Sequence, residues 1–114
     1  MSNDCIFCKI ANGEIPSEKI FEDDRVVAFK DINPAAPVHL LIIPKSHIPT
    51  MNDIDESHNE LLGHIMHTCK ILAEKMGVHE SGFRTIVNCN SDAGQEVFHL
   101  HVHLLGGKPL GKMG

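Results

Sequence analysis

Residues 99–105 of this 114-residue chain read His-Leu-His-Val-His-Leu-Leu, so that histidines alternate with apolar side chains. In an extended strand, successive side chains point to opposite faces of the sheet. His99, His101 and His103 are therefore predicted to share one face, with Cα atoms roughly 6.5–7 Å apart along the strand. The intervening leucines and valine would enter the core. This pattern predicts a sheet with a row of imidazoles on one face.

The rest of the chain adds further strand-like segments and a helix. Short apolar runs, separated by polar or proline-containing turns, predict strands at 18–21, 25–30, 38–43, 84–89 and 97–105. A short helical segment is expected at 5–12. One long helix and hairpin-type links indicate the α+β class, with a five-stranded antiparallel sheet covered on one face. A chain of 114 residues has room for a single domain, 1–114.

The long helix is predicted over residues 54–76. Ser57 would cap its start, while Glu60, three residues later, would return a hydrogen bond in a capping box. Apolar residues then recur at three- and four-residue steps and build one stripe along the helix. Gly77 follows where a left-handed C-terminal cap is needed.

Charge and hydropathy limit the possible partners. The chain has 10 Lys and Arg residues against 15 Asp and Glu, a net charge of −5, which argues against nucleic acid as a partner. Its longest apolar run, 40–44, is far shorter than the roughly 20 residues of a membrane-spanning helix. The first residues show no pattern of a secretory signal, so we expect a cytoplasmic protein. In that compartment the four cysteines are interpreted as thiols or metal ligands before disulfides.

The residues alone leave several interpretations of two motifs open. The histidine row could be a solvated strand face, a catalytic zinc site, or a nucleophilic site acting on phosphorus. In the last case one imidazole attacks while its neighbours hold phosphoryl oxygens. Cys5-x-x-Cys8 could be a redox pair or half of a zinc site.

Several motifs, in order along the chain, resemble the histidine-triad family and specifically its Hint branch. Besides the row 99–105, they are Cys5-Ile6-Phe7-Cys8-Lys9-Ile10, Gly13-Glu14-Ile15-Pro16, Phe29-x-Asp31-Ile32, Ala36-Pro37-x-His39, Ile43-Pro44-Lys45-x-His47 and Gly94-Gln95-x-Val97-Phe98-His99. The similarity covers at least residues 5–110. It implies a hydrolase that binds purine nucleoside monophosphates and cleaves nucleoside 5′-phosphoramidates, at the P–N bond, and acyl-adenylates, without a catalytic metal. It also implies a homodimer whose two sheets join into one.

The resemblance assigns catalytic roles to three histidines. His101 corresponds to the nucleophile, which forms a transient nucleotidyl-imidazole intermediate. His103 corresponds to the group that holds an α-phosphate oxygen and helps to protonate the departing amine. His39 corresponds to a buttress beside His101. Imidazole suits such work, because its pKa of about 6.5 leaves it largely neutral at pH 7.

The resemblance also outlines a nucleotide pocket. Asp31 corresponds to the carboxylate that accepts the ribose hydroxyls. The apolar walls around the purine correspond to Ile6, Phe7, Ile10, Phe29 and Ile32. The phosphate side, together with His101 and His103, corresponds to Asn88, Gly94, Gln95, Glu96 and Val97. Some Hint proteins have serine at the position of Glu96, whose carboxylate cannot donate the serine's hydrogen bond, so the preferred leaving group is open.

In zinc-carrying relatives, a structural zinc is bound by residues that correspond to Cys5, Cys8, His47 and His99. We therefore expect a structural zinc, with two unligated thiols or a disulfide as the alternatives. With zinc bound, His99 would be a structural ligand and not a catalytic group.

Two further features bear on assembly. Leu62, Met66 and Cys69 widen the helix stripe beyond the need of one small sheet, and 84–89 is a plausible sheet edge. Both favour pairing with a second copy, and residues 107–114 are expected near the partner's active site. The alternative functions are a regulatory nucleotide-binding protein with incidental hydrolysis and a zinc-dependent hydrolase.

Overall fold

The computed structural model describes residues 5–113. Its helices are α1 (Ile6–Ala11) and α2 (Asn59–Lys75), and its strands are β1 (Lys19–Glu22), β2 (Val26–Lys30), β3 (Val38–Pro44), β4 (Phe83–Ile86) and β5 (Val102–Gly106). Single-turn 3₁₀ segments lie at Met51–Asp53, Glu56–His58 and Ser91–Ala93. Among these residues, five strands form one sheet in the order β1-β2-β3-β5-β4, and every neighbouring pair is antiparallel. The predicted α+β class and five-stranded antiparallel sheet are confirmed.

Strand β3 runs through the middle of the sheet, which has helices on both faces, so the expectation of a sheet covered on one face is wrong. Val38–Pro44 pairs with β2 on one side and with β5 on the other, and all of its residues except the first are buried. Alternate side chains of β3 pack with Ile65 and Leu72 of α2. The others pack with Phe7 and Ile10 of α1, on the opposite face. The short helix α1 therefore covers the face of the sheet that carries His101 and His103.

Helix α2 begins later than predicted and has no side-chain cap of its own, because the capping contacts belong to the 3₁₀ turn Glu56–His58 before it. The expected Ser57–Glu60 capping box is wrong: the Asp55 carboxylate accepts from the Ser57 backbone N–H, and the Asp55 N–H donates to His58 Nδ1. The Ser57 hydroxyl donates to Asp55 as well, so it is engaged in the turn before the helix. Gly77 follows α2 with φ +75°, which confirms the left-handed cap. Neither helix of the described residues is long and apolar enough to span a membrane.

Strand β5 is shorter than the predicted 97–105, because its neighbour cannot continue the ladder. The pairing with β3 begins at Val102, close to the point where β3 reaches Pro44. Proline has no N–H to donate to a ladder. Residues 97–101 therefore lie outside the strand, and the Leu100 N–H bonds to the Ile48 carbonyl oxygen at 2.6 Å.

The predicted alternation of side chains is nevertheless retained. Val102 and Leu104 lie in the core beneath α2, whereas His101 lies on the α1 side and packs against Phe7. Strand β4 is also shorter than the predicted 84–89. Within residues 5–113 it forms one edge of the sheet, as expected.

Candidate active site

A cavity of about 630 Å³ opens on the α1 side of the sheet. It is bounded by α1 and the segment after it, the loop after β2, the loop before β5 and the start of β5. All the residues that the resemblance assigns to nucleotide binding line it: Ile6, Phe7, Ile10, Phe29, Asp31, Ile32, Asn88, Gly94, Gln95, Glu96, Val97, His101 and His103. The fold thus brings side chains from distant parts of the sequence to one cavity.

The apolar walls of the cavity differ in exposure. Phe7, Ile10 and Phe29 are buried, and the two phenylalanine rings pack edge to face with 5.4 Å between their centroids. Ile6 and Ile32 are exposed, Ile32 to 91%. The cavity therefore has a packed apolar floor and two uncovered apolar residues at its rim, which suits a flat aromatic group.

His101 is buried, and a hydrogen bond determines which of its ring nitrogens is free. Its Nδ1 lies 2.7 Å from the backbone carbonyl oxygen of His99. A carbonyl oxygen only accepts, so in the neutral ring Nδ1 carries the proton and Nε2 keeps its lone pair. The rings of Phe7 and His103 pack edge-on against this imidazole, 5.1 and 5.0 Å away between centroids. His101 is thus an oriented imidazole at the cavity wall.

His39 and His103 form a directed hydrogen-bond chain beside His101. The Ala35 backbone N–H donates to His39 Nδ1 at 3.0 Å, so in the neutral ring the His39 proton is on Nε2. That N–H donates to His103 Nδ1, 2.9 Å away, which leaves the proton of His103 on Nε2. The resemblance describes His39 as a buttress of His101, whereas its hydrogen bond in the structure orients His103.

Burial, followed by the neighbouring His101 and His39, lowers the pKa of His103 to about 4. Asp31 offsets these effects only in part. The ring of His103 is therefore uncharged at neutral pH. Its Nε2–H is a hydrogen-bond donor that carries no net positive charge.

Asp31 follows directly after β2, and its two carboxylate oxygens have different surroundings. Oδ1 accepts from the Asn33 backbone N–H at 2.8 Å and closes the turn after the strand. Oδ2 is 3.5 Å from His39 Nε2, and the side chain remains partly exposed. The carboxylate therefore keeps acceptor capacity toward the cavity, as binding of two hydroxyl groups requires.

The loop before β5 is held by one buried amide. The Gln95 side chain accepts from the Asn90 N–H at 2.8 Å and donates to the carbonyl oxygens of Pro49 and Val97 at 2.9 and 3.1 Å. Its amide is thus committed to the loop, and a phosphate contact at this residue would come from its backbone. Gly94 has φ +79°, a conformation that glycine adopts without strain.

A second cluster lies where α1 meets the segment before β5. The ligand atoms of Cys5, Cys8, His47 and His99 all lie within 4.8 Å of one another. His99 Nδ1 is 3.2 Å from Cys5 Sγ, 3.5 Å from Cys8 Sγ and 3.3 Å from His47 Nδ1. Zinc bonds of about 2.0 Å to nitrogen and 2.3 Å to sulfur separate tetrahedral ligand atoms by roughly 3.3–3.7 Å. The spacing of the cluster is therefore compatible with a tetrahedral zinc.

The protonation of this cluster also fits a metal. His99 Nε2 lies 2.7 Å from the Pro44 carbonyl oxygen, so in the neutral ring Nδ1 faces the thiols with its lone pair. Burial lowers the pKa of His99. Burial and the adjacent Cys5 raise the pKa of Cys8 to about 11, so without a metal its thiol stays protonated at neutral pH. A bound dication would lower this pKa, because it stabilises the thiolate. Cys5 and Cys8 are free thiols, which disagrees with the disulfide alternative.

The three histidines of the predicted row are divided between the two clusters. His99 faces the thiols, the Nδ1 of His101 bonds to a carbonyl oxygen, and the Nδ1 of His103 bonds to His39. Their ring nitrogens do not converge, so a zinc held by the row itself does not fit this geometry. Asp31, His39 and His103 also lie within 4.8 Å of one another, but the two imidazoles already hydrogen-bond to each other.

No role in the site was predicted for several residues that line the cavity. They are Ile15, Pro16, Ser17, Glu18, Lys30, Asn33 and Leu41. Leu41 lies in an apolar strand that indicates only core, and the others lie in turns or at strand ends. Ile15 and Pro16 belong to a motif of the resemblance that implied no role for them. Only the packing of α1 and its following segment against the sheet brings them to the cavity.

Comparison with known protein families and sequences finds close relatives over the whole length. The family model described as "Scavenger mRNA decapping enzyme C-term binding" matches residues 4–113. The purine nucleoside phosphoramidase of Escherichia coli K12 is 50% identical over 113 residues, which cover 99% of this chain and 95% of that protein. Protein HitA of Neisseria gonorrhoeae is 48% identical over 104 residues, which cover 91% of this chain and 96% of HitA.

Solved structures show the same fold. A histidine triad protein from Clostridium difficile superposes with a TM-score of 0.96 at 51% identity, covering 100% of this chain and 99% of that one. A HIT family hydrolase from Legionella pneumophila Philadelphia 1 superposes with a TM-score of 0.92 at 54% identity, covering 93% of this chain and 95% of that one.

Proposed function

The chain belongs to the histidine-triad (HIT) family of hydrolases, and we propose that it hydrolyses purine nucleoside 5′-phosphoramidates and acyl-adenylates. The reaction releases AMP or GMP and passes through a nucleotidyl-histidine intermediate on His101. The observation that carries this proposal is the hydrogen bond from His101 Nδ1 to the His99 carbonyl oxygen, because it leaves Nε2 as a nucleophile at the cavity wall.

The reaction on a phosphoramidate takes two displacement steps at phosphorus. In the first, the lone pair of His101 Nε2 bonds to phosphorus and the P–N bond breaks. Its electron pair stays on the leaving nitrogen, which takes up a proton. In the second, water attacks phosphorus and loses a proton, and the bond to His101 breaks, which restores the imidazole. Two steps of this kind replace one difficult displacement by water.

The other groups of the cavity position the substrate. The Nε2–H of His103 donates a hydrogen bond to an oxygen of the α-phosphate, and His39 holds the ring of His103 for this task. Because this ring is uncharged at neutral pH, it has no acidic proton to transfer, so we assign the proton taken up by the leaving nitrogen to water. Asp31 accepts the ribose hydroxyls. The packed walls formed by Phe7 and Phe29 hold the purine.

A structural zinc would be held by Cys5, Cys8, His47 and His99, whose spacing and donor types fit this metal. When bound, the zinc cross-links the start of α1 to the segment before β5. His47 and His99 then act only as ligands, and the reaction requires no metal.

We also propose that two copies associate. Met66 and Ile71 on α2 and Phe83 on the edge strand β4 are exposed apolar residues, and association would cover them. Sedimentation at ~10 μM should give about 25 kDa, twice the 12.6 kDa of one chain. A sedimenting monomer at that concentration would contradict this proposal.

One comparison tests the function directly. Purified protein is incubated with a fluorogenic adenosine 5′-phosphoramidate, with and without EDTA, alongside His101→Ala. We expect turnover by the unaltered protein in both conditions and none by the variant. Absence of turnover in the unaltered protein, or equal turnover in the variant, would refute the proposal. Loss of turnover on brief EDTA treatment, with the fold intact, would instead favour a metal-dependent hydrolase.

A further inference from the structure

Glu96 stands where the nucleotide cavity meets a second, smaller cleft. The cleft has a volume of about 450 Å³ and is lined by Pro49 and Phe98, together with Cys5 and His47 of the cysteine-containing cluster. Ile6, Glu96 and Val97 border both spaces, so the two are adjoining. Phe98 is 48% exposed, so its ring offers apolar surface at the wall of this cleft.

The backbone on both sides of Glu96 is firmly held. Gln95 is buried and makes three hydrogen bonds within and beyond the loop. Further along, the Leu100 N–H bonds to the Ile48 carbonyl oxygen. The position of Glu96 at the border of the two spaces is therefore determined by its neighbours and does not depend on contacts of its own side chain.

The carboxylate of Glu96 has no cationic partner in the protein. Among the ion pairs formed by residues 5–113, none includes Glu96, and its side chain is exposed. The proposed substrate would place an anionic phosphate near His101 and His103 in the same cavity. Two negative charges in one partly enclosed site repel each other, unless a positive charge lies near both.

The remaining space indicates where such a charge belongs. The floor of the cavity, formed by Ile10 and Phe29, and Asp31 after β2 do not border the cleft. With the nucleoside in that part of the cavity, the portion of the substrate beyond phosphorus extends toward Glu96 and Val97. That portion is the leaving group.

We propose that Glu96 selects substrates whose leaving group carries a positive charge close to the scissile bond, with its apolar part in the cleft beside Phe98. Amines that bear a second, protonated nitrogen, and aminoacyl groups with a free ammonium, have this chemistry. The inference rests on the proposed hydrolysis of phosphoramidates and names the class of leaving group for that same site. Glu96 is a specificity-determining residue and takes no part in bond breaking.

The test uses three AMP phosphoramidates of nearly equal length, made with 1,3-diaminopropane, butylamine and β-alanine. Their leaving groups end in an ammonium, a methyl and a carboxylate. For the unaltered protein we expect kcat/KM to fall in that order, with the ammonium substrate about two- to fivefold better than the methyl one at low ionic strength. In Glu96→Gln this ratio should approach one, and in Glu96→Lys the carboxylate substrate should become the better of the two charged ones.

Glu80→Gln is the matched control, because it removes the same charge from an exposed residue that lines neither space. It should keep the preference of the unaltered protein. Equal kcat/KM for the three substrates in the unaltered protein would overturn the inference, as would an unchanged ratio in Glu96→Gln. A uniform loss on all three substrates in Glu96→Gln would show a structural role and would also overturn it. Failure of the unaltered protein to hydrolyse any of them would refute the proposed function instead.

Discussion

His99 and His101 are two residues apart and each binds a backbone carbonyl oxygen at 2.7 Å, but they do so through opposite ring nitrogens. His99 uses Nε2, so its free Nδ1 faces Cys5 and Cys8. His101 uses Nδ1, so its free nitrogen is Nε2, on the other side of the ring. One histidine thus presents a free nitrogen suited to binding a metal, and the other presents a free nitrogen suited to nucleophilic attack.

The two clusters also differ in what surrounds the imidazoles. The cysteine-containing cluster joins residues that are 94 positions apart in the sequence, from Cys5 to His99, and ties α1 to the segment before β5. The cavity cluster of His39, His101 and His103 contains no thiol and borders open space. We therefore expect the first cluster to contribute mainly stability and the second mainly activity. Four experiments test this difference between the clusters.

The largest expected effect is that of His101→Asn on turnover. Asparagine keeps polarity and approximate size but cannot attack phosphorus, so kcat should fall by roughly four orders of magnitude, as when a covalent nucleophile is removed. AMP affinity, measured by calorimetry, should change little, and zinc content should be unaltered. Retention of a tenth of the activity, or a nucleotide trapped on His103, would contradict the assignment.

Removal of the thiol ligands should have the opposite profile. In the double variant Cys5→Ser, Cys8→Ser, the zinc content measured by elemental analysis should fall from about one zinc per chain to none. Its Tm should fall by roughly 10 °C or more, because the metal stabilises the protein by binding only the folded state. Most of the phosphoramidase activity should remain at low temperature. Cys89→Ser, outside the cluster, is the control and should retain both zinc and Tm. Equal stability of a metal-free double variant would eliminate the site.

His39→Ala should have an intermediate effect within the cavity cluster. Without the His39 N–H, nothing holds the proton of His103 on Nε2, and that ring loses its orientation. We expect kcat to fall by about 10- to 100-fold, the size found when a supporting residue of this kind is lost, with zinc content and KM nearly unchanged. A fall as large as that of His101→Asn would mean that His39 takes part in the reaction directly.

The smallest effect concerns the titration of His103. Its pKa is about 4 in the folded protein against about 6.5 in an unfolded chain, so between these values the unfolded chain binds more protons. The contribution of this group to the free energy of unfolding is complete above pH 6.5 and is lost as the pH falls toward 4. NMR should show the ring titrating near pH 4, and His103→Gln should have a shallower pH dependence of stability over that window. A ring that titrates near pH 6.5 would show that the cluster is open to water.

Local pattern determined much of the fold. The alternation in residues 99–105 predicts which side chains enter the core and which share the opposite face, and Val102, Leu104 and His101 lie on the predicted faces. The apolar run at 38–43 predicts a buried strand, and Gly77 predicts a left-handed cap. These features depend on periodicity and on backbone preferences of single residues, which are properties of a short stretch of sequence.

The cavity residues came from a different source, the resemblance to a family. Taken alone, Phe7, Ile10 and Phe29 indicate only core, and their place at a cavity follows from packing of α1 on the sheet. Ser57 was expected to cap α2, whereas it lies in a 3₁₀ turn that Asp55 caps, and α2 begins after this turn without a side-chain cap. A sequence pattern lists possible caps, but the path of the chain decides which oxygen reaches a free N–H.

Strand alternation is a local property, so the amino-acid sequence alone predicts the set of side chains on each face of the sheet. The division of the histidine row, in contrast, follows from tertiary contacts. The ladder between β3 and β5 ends at the pair of Ile42 and Val102, and beyond it the Pro44 carbonyl oxygen accepts from His99 Nε2, which directs Nδ1 of that ring to Cys5 and Cys8. The protonation and partner of each imidazole depend on atoms that lie up to 94 positions away in the chain, and only the folded protein brings them into contact.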